Sequence, residues 1–309
     1  MIQIKNLVKR YGNLLALDHL NLEIEEGEIY GLLGPNGSGK TTAMNCMLSI
    51  LQYDKGNIRI FGKEMAPDQY DIKKDIGVVM QNVAVFEQMT VFENIDYFCG
   101  LYINDKNKRK KMVEDAISFV GLEDYKKMKP KKLSGGLLRR LNIACGIAHR
   151  PKLILLDEPT VAVDPQSRNN ILTGIQELNR QGSTIIYTSH YMEEVEQICT
   201  KIAILDHGRV IAQGTKDELK KLIKTSEIIT IADVDISQEQ MNEIRRMNHV
   251  FFVEYEHREL KIRCSGGNQN LVEVLHYLQE RELFFGKVFS ELPTLNDVFL
   301  EITGTQLRD

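Results

Sequence analysis

Residues 34–41 read Gly34-Pro35-Asn36-Gly37-Ser38-Gly39-Lys40-Thr41, the pattern G-x-x-x-x-G-K-[ST]. Ahead of it, Glu28-Ile29-Tyr30-Gly31-Leu32-Leu33 has the composition of a short buried strand. Behind it, Thr42-Ala43-Met44-Asn45-Cys46-Met47-Leu48 opens a helix. Glycines at these positions let backbone N–H groups wrap a polyphosphate, and the helix that follows turns its positive end toward the same charge. In that setting Lys40 is expected to reach the β- and γ-phosphates and the Thr41 hydroxyl to bind Mg²⁺.

Outward from this loop the chain alternates strand and helix patterns to about residue 220, which predicts an α/β unit with a mainly parallel sheet. The opening strands, with Gly12 and Gly27 as turn points, read as an antiparallel addition. Leu153-Ile154-Leu155-Leu156-Asp157-Glu158 is an apolar strand that ends in two carboxylates. At the carboxyl end of a parallel strand Asp157 can face the Mg²⁺ held by Thr41, and Glu158 can polarise a water for attack on the γ-phosphate. A third element, Leu133-Ser134-Gly135-Gly136, precedes the helical run Leu137-Leu138-Arg139-Arg140; its Ser and glycines offer a second helix N-terminus to phosphate.

These three motifs, with Pro159-Thr160, Val161-Ala162-Val163-Asp164-Pro165 and Ser189-His190, occur in an order and at a spacing that resemble the nucleotide-binding subunit of an ABC transporter over about the first 220 residues. The resemblance implies a P-loop NTPase cassette of the ABC type: a mainly parallel sheet core, an antiparallel N-terminal addition and a helical subdomain. It implies ATP and Mg²⁺, with ATP cradled by Gly34 to Thr41 and Thr42. Tyr11 is then the aromatic that stacks on adenine. Gln81, after the strand Ile76 to Met80, senses Mg²⁺ and the attacking water, and His190 contacts the γ-phosphate. Ser134, Gly135 and Gly136 of one subunit close over ATP held by another, and Asp164 bridges the two. Two ATP molecules would lie in a two-fold dimer, homo- or heteromeric, whose closure moves a separate multi-span membrane subunit. The chain would then be cytoplasmic, peripheral on the inner face of the cell membrane. Two positions depart from the family pattern: Leu137 stands where a polar residue is usual, and Ala162 replaces a glycine.

Beyond Asp217–Lys224, read as a linking helix, the periodicity changes. Strands at 227–231, 250–255, 259–263 and 283–289 and helices at 238–247 and 268–282 give the order βαββαβ, a ferredoxin-like α+β unit. A last helix from Thr294 to Ile302 ends at Gly304. The expected division is thus 1–220 and 221–309. The terminal stretch Pro293 to Gly304 and the stretch Thr160 to Arg168 resemble bacterial exporter ATPases of the drug- and antibiotic-resistance type. The C-terminal unit either steadies the dimer, regulates its closure or is a passive appendage. Val85, Phe86, Phe92, Tyr97 and Phe98, in the segment after Gln81, mark by resemblance the docking place of the membrane subunit, with Val91, Ile95 and Phe98 partly in the core. The basic runs 106–111 and 126–132 read as solvated surface.

Composition bounds the alternatives. The chain has 309 residues, 43% hydrophobic and 27% charged, which suits a globular protein with a sizeable core. A net charge of -4 gives no support for nucleic-acid binding. The odd count of 5 cysteines, in no metal or redox spacing, suits a reducing compartment. No signal peptide is evident and the apolar runs are far shorter than the ~20 residues that span a bilayer. The competing reading is a soluble ABC ATPase of translation, repair or cluster assembly. Against it stand the single cassette, the lack of a heptad run and the C-terminal unit. A sensor without turnover is disfavoured by Glu158 and His190.

Overall fold

The computed structural model describes residues 1–161, 163–267 and 269–303; Ala162 and the expected helix stop at Gly304 lie outside them. The described residues form two compact units, divided between Thr215 and Lys216.

In the first unit a six-stranded sheet runs in the order Arg209–Gly214, Lys201–Asp206, Ile29–Leu33, Thr184–Ser189, Leu153–Asp157, Ile76–Val79. All neighbours pair in parallel except the edge strand Arg209–Gly214, which is antiparallel. Ile29–Leu33, Leu153–Asp157 and Thr184–Ser189 are buried at every residue, as expected of parallel strands covered on both faces. The expected antiparallel addition is a separate four-stranded sheet, Leu14–Ile24, Ile2–Tyr11, Lys55–Ile60, Lys63–Glu64, and Gly12 and Gly27 both turn with positive φ. The two sheets share one core in which Ile2, Leu7, Leu17, Leu32, Met44 and Leu155 are at most 2% exposed. A second cluster, built on Val91, Ile95, Val113, Ile117 and Leu141, holds together the helices Val91–Gly100, Lys106–Phe119 and Gly135–Ile147: the helical subdomain. The lysines of 106–111 lie exposed along the first turns of the middle helix.

The second unit is a four-stranded antiparallel sheet in the order Val250–Glu256, Glu259–Cys264, Glu227–Ile231, Val288–Glu291, with the helices Gln238–Arg245 and Asn270–Glu280 between its strands. This is the ferredoxin-like βαββαβ arrangement. Its hairpin turns on His257 and Arg258, at φ 49° and 64°, a conformation that suits a two-residue turn of the primed kind. Three expectations shift. The last strand begins at Val288 rather than Leu283, because Leu283 N–H closes the preceding helix onto Leu278 O at 2.9 Å and Phe284 is 92% exposed. The short helix Lys216–Lys220 stops before Lys224, whose N–H donates to Glu301 Oε1 at 2.6 Å. The division falls at Thr215 rather than 220, since that helix packs with the final helix Leu295–Thr303 and Leu219 is buried.

All five cysteines, Cys46, Cys99, Cys145, Cys199 and Cys264, are buried. No helix among the described residues is long and apolar enough to cross a membrane.

Candidate functional site

The loop 34–41 connects the central strand Ile29–Leu33 to the helix Lys40–Met47. Two of its glycines are required by the backbone. Gly39 caps the helix at φ 107°, where a Cβ would lie 2.8 Å from Ala16 O. Gly34 is crowded by Leu205 O, with which a Cβ would clash. No side chain caps the helix, so its first N–H groups are open to an anion. The Ser38 hydroxyl is buried without a hydrogen-bond partner among the described residues, a cost that a phosphate oxygen would remove.

Lys40 is 5% exposed, and its ammonium donates to Gly34 O at 2.7 Å and Pro35 O at 3.0 Å. Burial lowers its pKa, while the Glu158 and Asp157 carboxylates oppose the shift. The Thr41 hydroxyl donates to Asp157 Oδ2 at 2.9 Å, and Thr188 Oγ1 donates to Asp157 Oδ1 at 2.7 Å. Asp157 is thus held by the neighbouring strand, in whose register it sits opposite Thr188.

Glu158 follows at φ 46°, a left-handed conformation fixed by its N–H, which donates to Thr188 Oγ1 at 3.0 Å. Three predicted partners converge on its carboxylate: Gln81 Nε2 donates to Oε2 at 3.1 Å, His190 Nδ1 lies 3.4 Å and Lys40 Nζ 3.7 Å from Oε1. A carboxylate 8% exposed, beside a cation, an amide and an imidazole, has the surroundings of a general base.

Among the described residues no group of three or more His, Cys, Asp or Glu is placed to hold a metal. The paired Thr41 hydroxyl and Asp157 carboxylate are hard oxygen ligands, and Gln81 adds an amide oxygen. Such a sparse set suits Mg²⁺, which keeps waters and shares substrate phosphate oxygens.

Ser134 caps the helix Gly135–Ile147, its Oγ accepting from Leu137 N–H at 3.3 Å. Ser134 and Gly135 are exposed, while Gly136 is buried where a Cβ would meet Ser167 Oγ at 3.0 Å. Leu137 is half-buried against the helical cluster. Asp164 caps the helix Pro165–Arg180 by accepting from Ser167 N–H at 2.9 Å, a bond that lowers its pKa. Tyr11 is 48% exposed and its ring carries the Lys9 ammonium at 5.2 Å. Among the described residues neither Tyr11 nor Ser134–Gly136 is hydrogen-bonded to the loop 34–42. Of the predicted site residues, the structure brings Gln81, Asp157, Glu158 and His190 together with Lys40 and Thr41 of the loop.

Two residues of the site, Arg139 and Thr188, escaped the motif reading. Arg139, 4% exposed, donates to Met80 O at 3.0 Å and Glu158 O at 3.1 Å, tying the segment before Gln81 to the general base. Burial lowers its pKa, against the pull of Asp157, Glu158 and Tyr187. Thr188 locks both acids, as described. The signal for Thr188 was its place one residue before Ser189-His190 on a strand parallel to the acid-bearing one; Arg139 had no local signal.

The ABC transporter family profile matches residues 17–161. The linearmycin resistance ATP-binding protein LnrL of Bacillus subtilis (strain 168) is 37% identical over 312 residues, covering 100% of both chains. The daunorubicin resistance ATP-binding protein DrrA3 of Streptomyces coeruleorubidus is 31% identical, over 99% of this chain and 97% of its own. Among solved structures, one described as the dimeric structure of MJ0796, a bacterial ABC transporter cassette, is 29% identical at a TM-score of 0.65 and covers 70% of this chain and 98% of its own. The chain therefore belongs to the ATP-binding proteins of the ABC transporter family and is an ATPase.

Proposed function

We propose that this chain is the motor subunit of an exporter. It pairs with a second ATP-binding subunit around two ATP molecules and drives a separate multi-span membrane subunit from the cytoplasmic face. The observation that carries the catalytic reading is the convergence of Lys40, Gln81 and His190 on the Glu158 carboxylate.

Each residue has a task that its position supports. The open N–H groups of the helix Lys40–Met47, the Ser38 hydroxyl and Thr42 bind phosphate oxygens. The Lys40 ammonium exchanges its contacts with Gly34 O and Pro35 O for the β- and γ-phosphates. Thr41, Asp157 and Gln81 would hold Mg²⁺, which when bound neutralises charge on the phosphates. Glu158 takes the proton of the attacking water, and His190 donates to the γ-phosphate. Tyr11 stacks on adenine. Ser134, Gly135 and Gly136 act on the nucleotide of the other subunit, in keeping with the exposure of Ser134 and Gly135 and, among the described residues, the lack of hydrogen bonds to the loop of their own chain.

The exposed aromatic cluster supports a docking role for the segment after Gln81. Phe86 and Tyr97, each 44% exposed, meet edge to face at 4.9 Å, with Phe98 at 5.9 Å from Phe86. Val91 and Ile95 point into the core, and Val85 and Phe92 are half-buried, so the docking face is narrower than the apolar stripe in the sequence. Export is supported by the full-length match to LnrL and DrrA3 and by the Nod factor export ATP-binding protein I of Ralstonia nicotianae, 30% identical over 100% of this chain. Methionine import relatives match over only 71% to 76% of this chain. A non-transport role finds no support in these relatives.

To test the reading, a tagged Glu158→Gln chain is purified from detergent-solubilised membranes of its own cell. A multi-span partner is expected. Recovery only from the soluble fraction, or on ribosomes or DNA, overturns it.

A further inference from the structure

Behind His190 lies a buried anion that the proposed chemistry does not use. Glu194, 3% exposed, sits in the first turn of the helix Met192–Ile198. Its Oε2 accepts from three hydroxyls: Tyr187 at 2.6 Å, Thr160 at 2.8 Å and Ser189 at 3.1 Å. Its Oε1 lies 3.3 Å from Arg168 Nε. Oε2 is thus satisfied, while among the described residues Oε1 is ion-paired without a hydrogen bond; burying such a carboxylate is costly, and an apolar side chain of similar size fills the volume without the cost. The charge therefore serves geometry more than stability.

Its partners show which geometry. Thr160 stands two residues after Glu158. Tyr187 and Ser189 belong to the strand that delivers His190, and Arg168 lies on the helix headed by Asp164. One carboxylate thus joins three segments of the site. Ser189 Oγ also accepts from Tyr191 N–H at 2.9 Å, so the backbone is pinned on both sides of His190. The Tyr191 ring packs at 4.1 Å from the His190 ring, with the Arg168 guanidinium 4.9 Å from its centre. The His190 imidazole, 20% exposed, rests on a stack whose far end is anchored by Glu194.

We propose that Glu194 is a positioning residue for His190: it fixes the strand end and the Arg168–Tyr191 stack that aim the imidazole at the γ-phosphate. This rests on the reading of His190 given above. Glu194 touches neither nucleotide nor reacting atoms, and its effect passes through His190.

The test is steady-state ATPase activity of the full chain with Glu194→Gln, Glu194→Asp, His190→Ala and the double variant Glu194→Gln/His190→Ala. Glu194→Gln is expected to lower kcat about tenfold and leave KM for ATP within about twofold, since misaiming by a fraction of an ångström affects the step and not the binding. Glu194→Asp should recover part of the loss. In the His190→Ala background Glu194→Gln should cost nothing further, because a group that acts through another is silent once that other is gone. Wild-type kcat in Glu194→Gln, or the same fold-loss in both backgrounds, overturns the proposal alone. Wild-type kcat in His190→Ala sinks the His190 assignment and this proposal with it. Should Glu194→Gln not fold, Thr160→Val and Ser189→Ala each remove one hydroxyl from the carboxylate. A several-fold loss of kcat confined to the chain that keeps His190 supports the proposal, and no loss overturns it.

Discussion

The Thr41 hydroxyl donates to the Asp157 carboxylate at 2.9 Å across 116 residues of chain. Neither residue is near the other in sequence; the parallel order of the strands Ile29–Leu33, Thr184–Ser189 and Leu153–Asp157 brings them to the same end of the sheet. Replacing the hydroxyl by a methyl of equal size should spare the fold and disturb the ion. Thr41→Val is expected to keep its melting temperature within a few degrees and to need about tenfold more Mg²⁺ for half-maximal ATPase activity. An unchanged Mg²⁺ requirement would remove Thr41 from the ligand set.

Glu158→Gln keeps the shape of the side chain and its contact with Gln81 but gives up the proton acceptor. Turnover should fall by about 10²–10⁴ while ATP still binds. ATP that is bound and not consumed should hold two chains together, so sedimentation velocity with Mg²⁺ and ATP is expected to show a dimer. A strictly monomeric variant under those conditions rules out the shared-nucleotide arrangement.

Arg139 spans two carbonyls, Met80 O and Glu158 O, from a buried position. Arg139→Met fills the volume yet removes a charged donor from both acceptors, leaving Met80 O with Asn142 Nδ2 at 3.4 Å and Glu158 O with Val161 N–H at 3.3 Å, at a cost of about 2 kcal/mol in urea denaturation. Lysine, with a single nitrogen, cannot reach both in the same way, and Arg139→Lys should recover only part. A loss under about 1 kcal/mol for Arg139→Met means that water replaces the guanidinium without penalty.

His149 gives a handle on acid stability. Burial lowers its pKa below 6.5, opposed by a bond to Ile76 O and by Asp75, and its ring stacks on Tyr102 at 3.9 Å. As pH falls through 6.5 the unfolded chain takes up the proton first, so the unfolded state gains and stability declines until the folded state is protonated too. The slope from this group is at most about 1.4 kcal/mol per pH unit. His149→Phe keeps the stack and should flatten the decline of the melting temperature as pH falls below about 6.5. An equally steep decline in the variant assigns the acid sensitivity to other groups.

Much of the site was legible because its chemistry is local. The loop 34–41 needs a strand before it and a helix after it, and the residues around it say so; the same holds for Asp157 and Glu158 at a strand end and Ser134 at a helix start. What could not be read depends on register and burial. Thr188 matters because it lies opposite Asp157 in the sheet, and Arg139 and Glu194 look like ordinary polar helix residues until their surroundings are known. Leu283-Phe284-Phe285 looked like a strand by composition, but the helix before it is closed by Leu283 N–H and Glu282 at φ 53°, so tertiary geometry overrode propensity.

The burial of every thiol has a practical consequence. Cys46, Cys99 and Cys264 are pushed up to about 11 by burial, Cys145 is raised further by the same cause, and Cys199 is 2% exposed. With so little thiolate at neutral pH, the native cysteines should ignore maleimide dyes. The natural chain is therefore already a blank background for fluorescence labelling. One cysteine introduced at Leu14, which is 66% exposed, would carry the only dye, and energy transfer between two labelled copies would report their approach and parting, molecule by molecule.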